Sequence, residues 1–276
     1  MAVTTTGSFT ATLNPRRVLL AGDTHADIWH VQKLFEVAEA DADVIVQLGD
    51  FGFWEHTDAG VEYLDHVEEL AASFEMGLLW LDGNHENHQW LRQQYQPARV
   101  PGCKRAGHEQ DAPHEHLVNP DGTWPIRDHI AYLPRGHRWT WQGVRFLAVG
   151  GAYSIDKKWR VPGLSWWPEE ELTDDDVRRA CRGGRTDVLL THDAPLGAIP
   201  PGMRSIRASD ANRQRVRQIV DHTRPVVQFH GHFHAFYTDQ VTHPGGTTRV
   251  VGLASNIEAD RSWAWLDLPE LTWTLP

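Results

Sequence analysis

The sequence predicts an α/β fold in which two packed mixed β-sheets are flanked by helices, and three observations predict it. Short apolar runs alternate with segments of helical periodicity through the first part of the chain. Alternating, turn-punctuated segments dominate its last part. No internal repeat and no long linker divides the two, so a single domain over residues 16–276 follows, preceded by a Thr-rich, aperiodic and flexible N-terminal arm over residues 1–15.

The elements follow in order. Arg17–Ala21 is a short apolar run ending in Gly-Asp, the pattern of a buried strand feeding a loop. Ile28, Val31, Leu34, Phe35 and Ala38 recur at helical spacing. Asp43–Leu48 is a second buried strand and again ends in Gly-Asp, and Val61, Leu64, Val67, Ala71 and Phe74 mark a second amphipathic helix. Leu78–Leu81 is a third strand, followed by Asp-Gly-Asn-His. Strand–helix alternation of this kind implies parallel strands with crossover helices, and such sheets bind ligands beyond the carboxyl ends of their strands. Gly22-Asp23, Gly49-Asp50 and Gly83-Asn84-His85 all fall there.

Residues 96–129 are rich in Pro, Gly, His and charge without periodicity, which reads as a surface loop insertion. Its histidines, His108, His114, His116 and His129, read as solvated loop residues. Ile130–Leu133, Arg138–Trp141 and Val144–Val149 read as antiparallel strands, the last two joined by a Gln142-Gly143 turn. Thr173 and Asp176 have the spacing of a capping box opening a helix that Gly183 and Gly184 close. Asp187–Leu190 is a buried strand ending in Thr191-His192-Asp193. A helix bearing Val216, Ile219 and Val220 then leads to the strand Val226–Phe229, which ends in His230-Gly231-His232-Phe233-His234. Phe236–Val241, Arg249–Ala254, Trp263–Leu266 and Leu271–Thr274 complete the β-structure.

Composition narrows the function. The chain has 276 residues, 41% hydrophobic and 23% charged, the profile of a folded soluble protein. No run approaches the ~20 apolar residues of a membrane span, and the first residues lack a signal-peptide pattern, so a cytoplasmic location is expected. Cys103 and Cys181 lie far apart and read as reduced thiols. A net charge of −11 argues against extended duplex nucleic acid as a partner, though not against a small nucleotide. The 17 histidines are the unusual feature, because many of them stand beside Gly or Asp in loops.

Each cluster alone is weak: Gly-Asp at a strand end is common turn chemistry. Gly231-His232-Phe233-His234 is stronger, since residues two apart in extended chain point the same way. Together, five strand ends converging on one edge each deliver Asp, Asn or His, and burying so many ionisable groups without an ion is costly. Carboxylate, amide and imidazole donors without thiolate suit Mn²⁺, Fe or Zn²⁺ better than a structural zinc site.

In this order, GDTH, GD, GNHE, TH and GHFH resemble the calcineurin-like metallophosphoesterase superfamily, over nearly the whole chain from about Arg16 onward. The wording GDFGFW, DGNHENHQWL and GGAYSIDKKWR is similar to a group met in actinobacteria and their phages. The resemblance implies a four-layer α/β/β/α sandwich holding two divalent or trivalent metal ions, Mn²⁺ and/or Fe, with Zn²⁺ as the alternative. It places Asp23, His25 and His234 on the first metal, Asp50 as the bridge, and Asn84, His192 and His232 on the second. It implies a metal-bridging hydroxide as nucleophile and makes His85 the catalytic partner that protonates or steadies the leaving oxygen. Asp50 and His85 are thus the catalytic pair. His230 has no counterpart among the ligands and is expected behind them or in the core, while Asp193 either orients an imidazole or serves the turn.

The sequence departs from the phosphoprotein phosphatases of that superfamily after the second Gly-Asp, where Phe51-Gly52-Phe53-Trp54 replaces Asp-Arg-Gly. The phosphate-gripping arginine is missing there, which favours phosphodiesters, cyclic nucleotides among them. Phe51, Phe53 and Trp54 either stack on a base or pack beneath the loop. Positive charge for substrate is sought in Lys157, Lys158, Arg160, Arg207 or Arg261, with Arg160 and Asn84 the candidate substrate-binding residues. The expected function is a dinuclear-metal phosphodiesterase acting on a small or nucleotide-like phosphoester. A phosphomonoesterase or protein phosphatase, a nuclease, and a catalytically dead binding scaffold are the alternatives.

Overall fold

The computed structural model describes residues 9–95 and 118–275. Cys103, His108, His114 and His116, and most of the segment read as an insertion, lie outside the described residues, as do residues 1–8 of the N-terminal arm. Among the described residues, eighteen strands and α-helices follow one another: β1 (Arg17–Ala21), α1 (Ile28–Glu39), β2 (Val44–Gln47), α2 (Asp58–Ser73), β3 (Gly77–Trp80), α3 (His88–Tyr95), β4 (Trp124–Pro125), β5 (Ile130–Tyr132), β6 (His137–Trp141), β7 (Val144–Val149), α4 (Asp174–Cys181), β8 (Val188–Thr191), α5 (Asp210–Thr223), β9 (Val227–His230), β10 (Tyr237–His243), β11 (Gly246–Gly252), β12 (Trp263–Asp267) and β13 (Thr272–Thr274).

They build two mixed sheets. One has seven strands in the order β13-β12-β1-β2-β3-β5-β4, and the other six in the order β10-β11-β9-β8-β7-β6. β1, β2, β3 and β5 run parallel, as do β7, β8, β9 and β11, while the outer strands are antiparallel. The central strands are mostly apolar because both of their faces are covered. Alternation then divides the side chains between layers. Val18, Leu20, Val46 and Leu79 face Phe146, Ala148, Leu190 and Phe229 of the opposite sheet. Leu19, Ile45 and Leu78 pack against Val31, Leu34 and Phe35 of α1 and Leu64 and Val67 of α2. On the far side Leu147, Val149 and Leu189 pack against Ala180 of α4 and Val216, Ile219 and Val220 of α5. The order of layers is therefore α/β/β/α.

Local chemistry sets the helix starts. The Asp27 carboxylate accepts hydrogen bonds from Trp29 N and His30 N at the head of α1, and Thr57 Oγ1 accepts from Gly60 N at the head of α2. The expected capping box at Thr173 and Asp176 opens α4. Two elements lay outside the sequence reading. α3 had no apolar stripe to betray it, and β4, from the tail of the segment read as a loop, pairs at the sheet edge with β5. His129, read as solvated, instead meets Glu68 of α2, with Nδ1 2.7 Å from Oε1.

Among the described residues no helix is long and apolar enough to cross a membrane.

Candidate metal centre

The loops after β1, β2 and β3 leave one sheet, and those after β8 and β9 leave the other, so the predicted site lies where the two sheets meet. The five strand ends do not share one sheet edge as the sequence pattern implied; three come from the seven-stranded sheet and two from the six-stranded one. Two buried glutamines tie these loops to the sheets. Gln47 Nε2 donates to Gly22 O at 3.0 Å and to Gly49 O, while Gln228 Nε2 donates to Thr191 Oγ1 at 2.7 Å.

Asp23, His25, Asp50 and His234 come together, each offering one donor atom within 4.8 Å of the others. Asp23 Oδ1 accepts a 2.8 Å hydrogen bond from His232 N, which aims Oδ2 at the cluster. Asp50 Oδ1 accepts from Asn84 N and His85 N, both at 2.8 Å, which joins the loop after β2 to the loop after β3. The other predicted residues adjoin this group. His192 Nε2 lies 3.2 Å from Asn84 Oδ1 and 3.4 Å from Asp50 Oδ1, and the His232 ring stands 5.1 Å from that of His192. His192 Nδ1 is 2.7 Å from Leu48 O, a contact in which the ring must donate, so Nε2 is left to face the site. His85 meets His25 edge-on, with ring centroids 5.6 Å apart.

The backbone is bent to achieve this. Among the described residues nine non-glycine positions have positive φ, and four of them are His25 (48°), Asp50 (54°), His232 (68°) and His234 (52°). Such conformations cost of order 1–3 kcal/mol each and persist where surrounding structure enforces them, typically at functional sites. Close approach explains two of the motif glycines. A Cβ on Gly83 would overlap Asp50 Oδ1, and one on Gly231 would overlap Asp23 Oδ1.

The donor set fits cations. Asp23 Oδ2 is buried without a hydrogen-bond partner, although His234 Nε2 is only 3.0 Å away, so the two converge without being aligned with each other. His25 Nε2 and His234 Nε2 stand 2.9 Å apart, two nitrogens sharing one focus. Electrostatics agree. Burial alone would raise the Asp50 pKa, but His192, His85 and His25 outweigh it and hold the carboxyl well below its usual range. Burial likewise disfavours a charged His192, yet the Asp50 and Asp23 carboxylates overcome it and push its pKa up. The pocket demands positive charge, and carboxylate, amide and imidazole donors suit a hard or borderline metal ion.

The family profile of the calcineurin-like phosphoesterases matches residues 16–236. The chain belongs to that family. No curated protein matches it. Among solved structures it is similar to a hypothetical protein from Thermus thermophilus, at 16% identity over 87% of this chain and 76% of that one, with a TM-score of 0.40. It is also similar to a Staphylococcus aureus protein provisionally described as a 5′-nucleotidase, in complex with alpha-ketoglutarate. That match has 11% identity and a TM-score of 0.47, over 94% of this chain and 52% of that one, so this chain spans about half its length. Membership makes metal-dependent hydrolysis of phosphoric esters the general chemistry of this calcineurin-like phosphoesterase.

Other expectations meet the structure differently. Phe51 and Phe53 are fully buried and stack on Trp80 at 5.2 and 5.3 Å, and Trp54 packs on Trp167, so the first two lie beneath the loop and cannot reach a base. His230 is buried with Nε2 2.8 Å from Tyr237 Oη and stands outside the four-residue cluster. Asp193 accepts from Ala194 N and Asn212 Nδ2, which makes it a turn residue tied to α5. Lys157 lies over the Tyr153 ring and 3.4 Å from Glu171, and Lys158 over Trp159. Arg160 reaches the site: Nη2 donates to Asn84 O at 3.1 Å.

Several buried residues escaped the sequence reading. Glu86 Oε1 accepts from Phe51 N and Oε2 from Gly83 N, both at 2.7 Å, stapling the loops after β2 and β3; burial and the nearby Asp50 charge raise its pKa to about 8. Its place directly after Asn84-His85 was the available signal. Asp82, Arg135 and Ser154 have no sequence signal at all, because the partners Asp82–Arg135 and Ser154–Asn84 are distant in the chain, and Glu170 meets Ser154 only in the fold.

Proposed function

We propose that this calcineurin-like phosphoesterase is a dinuclear-metal phosphodiesterase acting on small or nucleotide-like phosphodiesters, cyclic nucleotides included. The observation that carries the dinuclear reading is the convergence of Asp23, His25, Asp50 and His234 within 4.8 Å, with Asn84 and His192 adjoining through Asp50 and His232 through the His192 ring. Asp23, His25 and His234 would hold one ion, Asn84, His192 and His232 the other, and Asp50 would bridge them. Mn²⁺ and Fe are the ions the donor set favours, with Zn²⁺ the alternative. When bound, two such ions activate water and neutralise charge on the phosphoryl oxygens.

The chain's own residues supply the rest. Asp50, fixed by two backbone N–H groups, holds the loops after β2 and β3 in register. His85 is anchored through its backbone N on Asp50 Oδ1, and its ring beside His25 is placed to hold a proton for the departing oxygen. A diester suits this site because a monoester dianion carries additional charge. Phe51 and Phe53 stand buried where phosphatase relatives carry a cation, and Arg160 spends its nitrogens on protein partners.

The test is a panel of bis(p-nitrophenyl) phosphate, p-nitrophenyl phosphate, and 2′,3′- and 3′,5′-cyclic nucleotides with Mn²⁺ added. The diesters should be turned over faster than the monoester, and His85→Ala should lower kcat by about 10²–10⁴-fold with metal content unchanged. Faster monoester turnover would make the protein a phosphomonoesterase instead.

A further inference from the structure

Asn84 differs from the other proposed ligands. A carboxylate or imidazole presents a donor either way round, whereas an amide presents an oxygen only if its NH₂ is held on the opposite side. Asn84 is buried, and its Nδ2 donates to Ser154 Oγ at 3.0 Å, which leaves Oδ1 facing His192 Nε2. Ser154 is fixed in turn. Arg160 Nη1 donates to the same Oγ at 2.5 Å, and because arginine can only donate, that oxygen must accept there. Ser154 N donates to Glu170 Oε1 at 3.1 Å, an oxygen that also accepts from Trp166 Nε1 at 2.8 Å. Glu170 Oε2 lies 3.6 Å from Arg160 Nη1. Arg160 further donates from Nε to Ser165 O at 2.7 Å and from Nη2 to Asn84 O at 3.1 Å. One guanidinium thus contacts both the backbone oxygen of Asn84 and the hydroxyl that holds its amide. With its side chain 9% exposed, Arg160 faces protein more than solvent.

We infer that Ser154, Arg160 and Glu170 form a positioning network that turns the Asn84 amide so that Oδ1 faces the metal side, and that Arg160 acts through Asn84 rather than by gripping substrate. The inference rests on the reading of Asn84 as a ligand of the second metal. It accounts for a buried carboxylate and a buried hydroxyl from a segment far from Asn84 in the chain. Partners behind a ligand commonly control metal affinity by 10–100-fold.

The experiment is a calorimetric titration of the full chain, stripped of metal, with Mn²⁺ alone. Wild type should show two binding events. Ser154→Ala should weaken one of them by about 10–100-fold and leave the other unchanged, and Arg160→Gln should weaken the same event. In an Asn84→Ala background, Ser154→Ala should add nothing further, since both act through one amide. Melting temperatures identify any variant that fails to fold, and Arg160→Gln carries the test if Ser154→Ala does. Two unchanged events in Ser154→Ala, or additive losses with Asn84→Ala, would overturn the network. So would an Arg160→Gln enzyme whose KM for bis(p-nitrophenyl) phosphate rises while its Mn²⁺ affinity stays at the wild-type value. A wild type that binds no Mn²⁺ would instead refute the metal reading itself.

Discussion

Removing Arg135 should damage stability, and the structure gives the size of the effect. Arg135 Nε and Nη2 donate to Asp82 Oδ2 at 2.9 and 2.6 Å, and its remaining donors reach Glu169 O, Glu170 O, Glu171 O and Asp176 Oδ2. Both partners of the ion pair are buried, with Arg135 5% and Asp82 1% exposed at the side chain. Arg135→Ala strands a carboxylate whose remaining side-chain hydrogen bond comes from Tyr132 Oη at 2.7 Å, and it frees the Glu170 and Glu171 carbonyls, while Glu169 O keeps Arg92 Nη2 at 3.1 Å. Breaking a buried pair from one side costs about 3–5 kcal/mol. At roughly 2–4 °C per kcal/mol for a chain of this size, Tm should fall by about 6–20 °C.

The pH dependence should weaken as well. In the wild type burial raises the Asp82 pKa, but Arg135 outweighs it and holds the group below its ordinary value of 3.8. That contribution is present above pH 3.8 and is lost as the pH falls through the depressed folded value. In Arg135→Ala burial is opposed only by His88 and Tyr132, so the folded pKa should rise and the loss of stability on acidification should shrink. Thermal melts of both proteins at pH 4.5 and 7.5 would check this. Asp82→Asn with Arg135→Met should recover part of the loss, because no buried charge is left alone. A Tm within ~2 °C of wild type for Arg135→Ala, or a double variant no better than the single one, would refute the reasoning.

Further outcomes follow from the same geometry. Metal removal by a chelator should lower Tm by about 5–10 °C if free Mn²⁺ stood near 100 times its Kd, the equivalent of ~2.7 kcal/mol, and Asp50→Ala should abolish that response in differential scanning calorimetry. Phe53→Ala should cost about 3–5 kcal/mol in urea denaturation while leaving KM for cyclic nucleotides and for bis(p-nitrophenyl) phosphate in the same ratio; a loss confined to the nucleotides would return Phe53 to the substrate. Gly231→Ala should diminish Mn²⁺ binding, since its Cβ would displace Asp23 Oδ1, and wild-type binding in a titration would contradict the close approach.

By itself, the sequence determined most of the scaffold. Arg17–Ala21, Asp43–Leu48, Leu78–Leu81, Asp187–Leu190 and Val226–Phe229 were legible because strands buried on both faces are mostly apolar. The candidate ligands were legible because each follows such a strand, where an ionisable residue has no packing purpose. α3 was not legible, since it lacks an apolar stripe, and neither was β4, which is two residues long and acquires its identity by pairing with β5. Only the tertiary structure decided that the ligand loops come from two sheets rather than one edge, and that Phe51 and Phe53 fill the core against Trp80 instead of facing a base. It alone joined Asn84 to Ser154, Arg160 and Glu170, and Asp82 to Arg135. The physical reason is the same in each case. Periodicity records which face of an element is buried, but the partner of a buried polar group is chosen by the packing of segments that the sequence keeps apart.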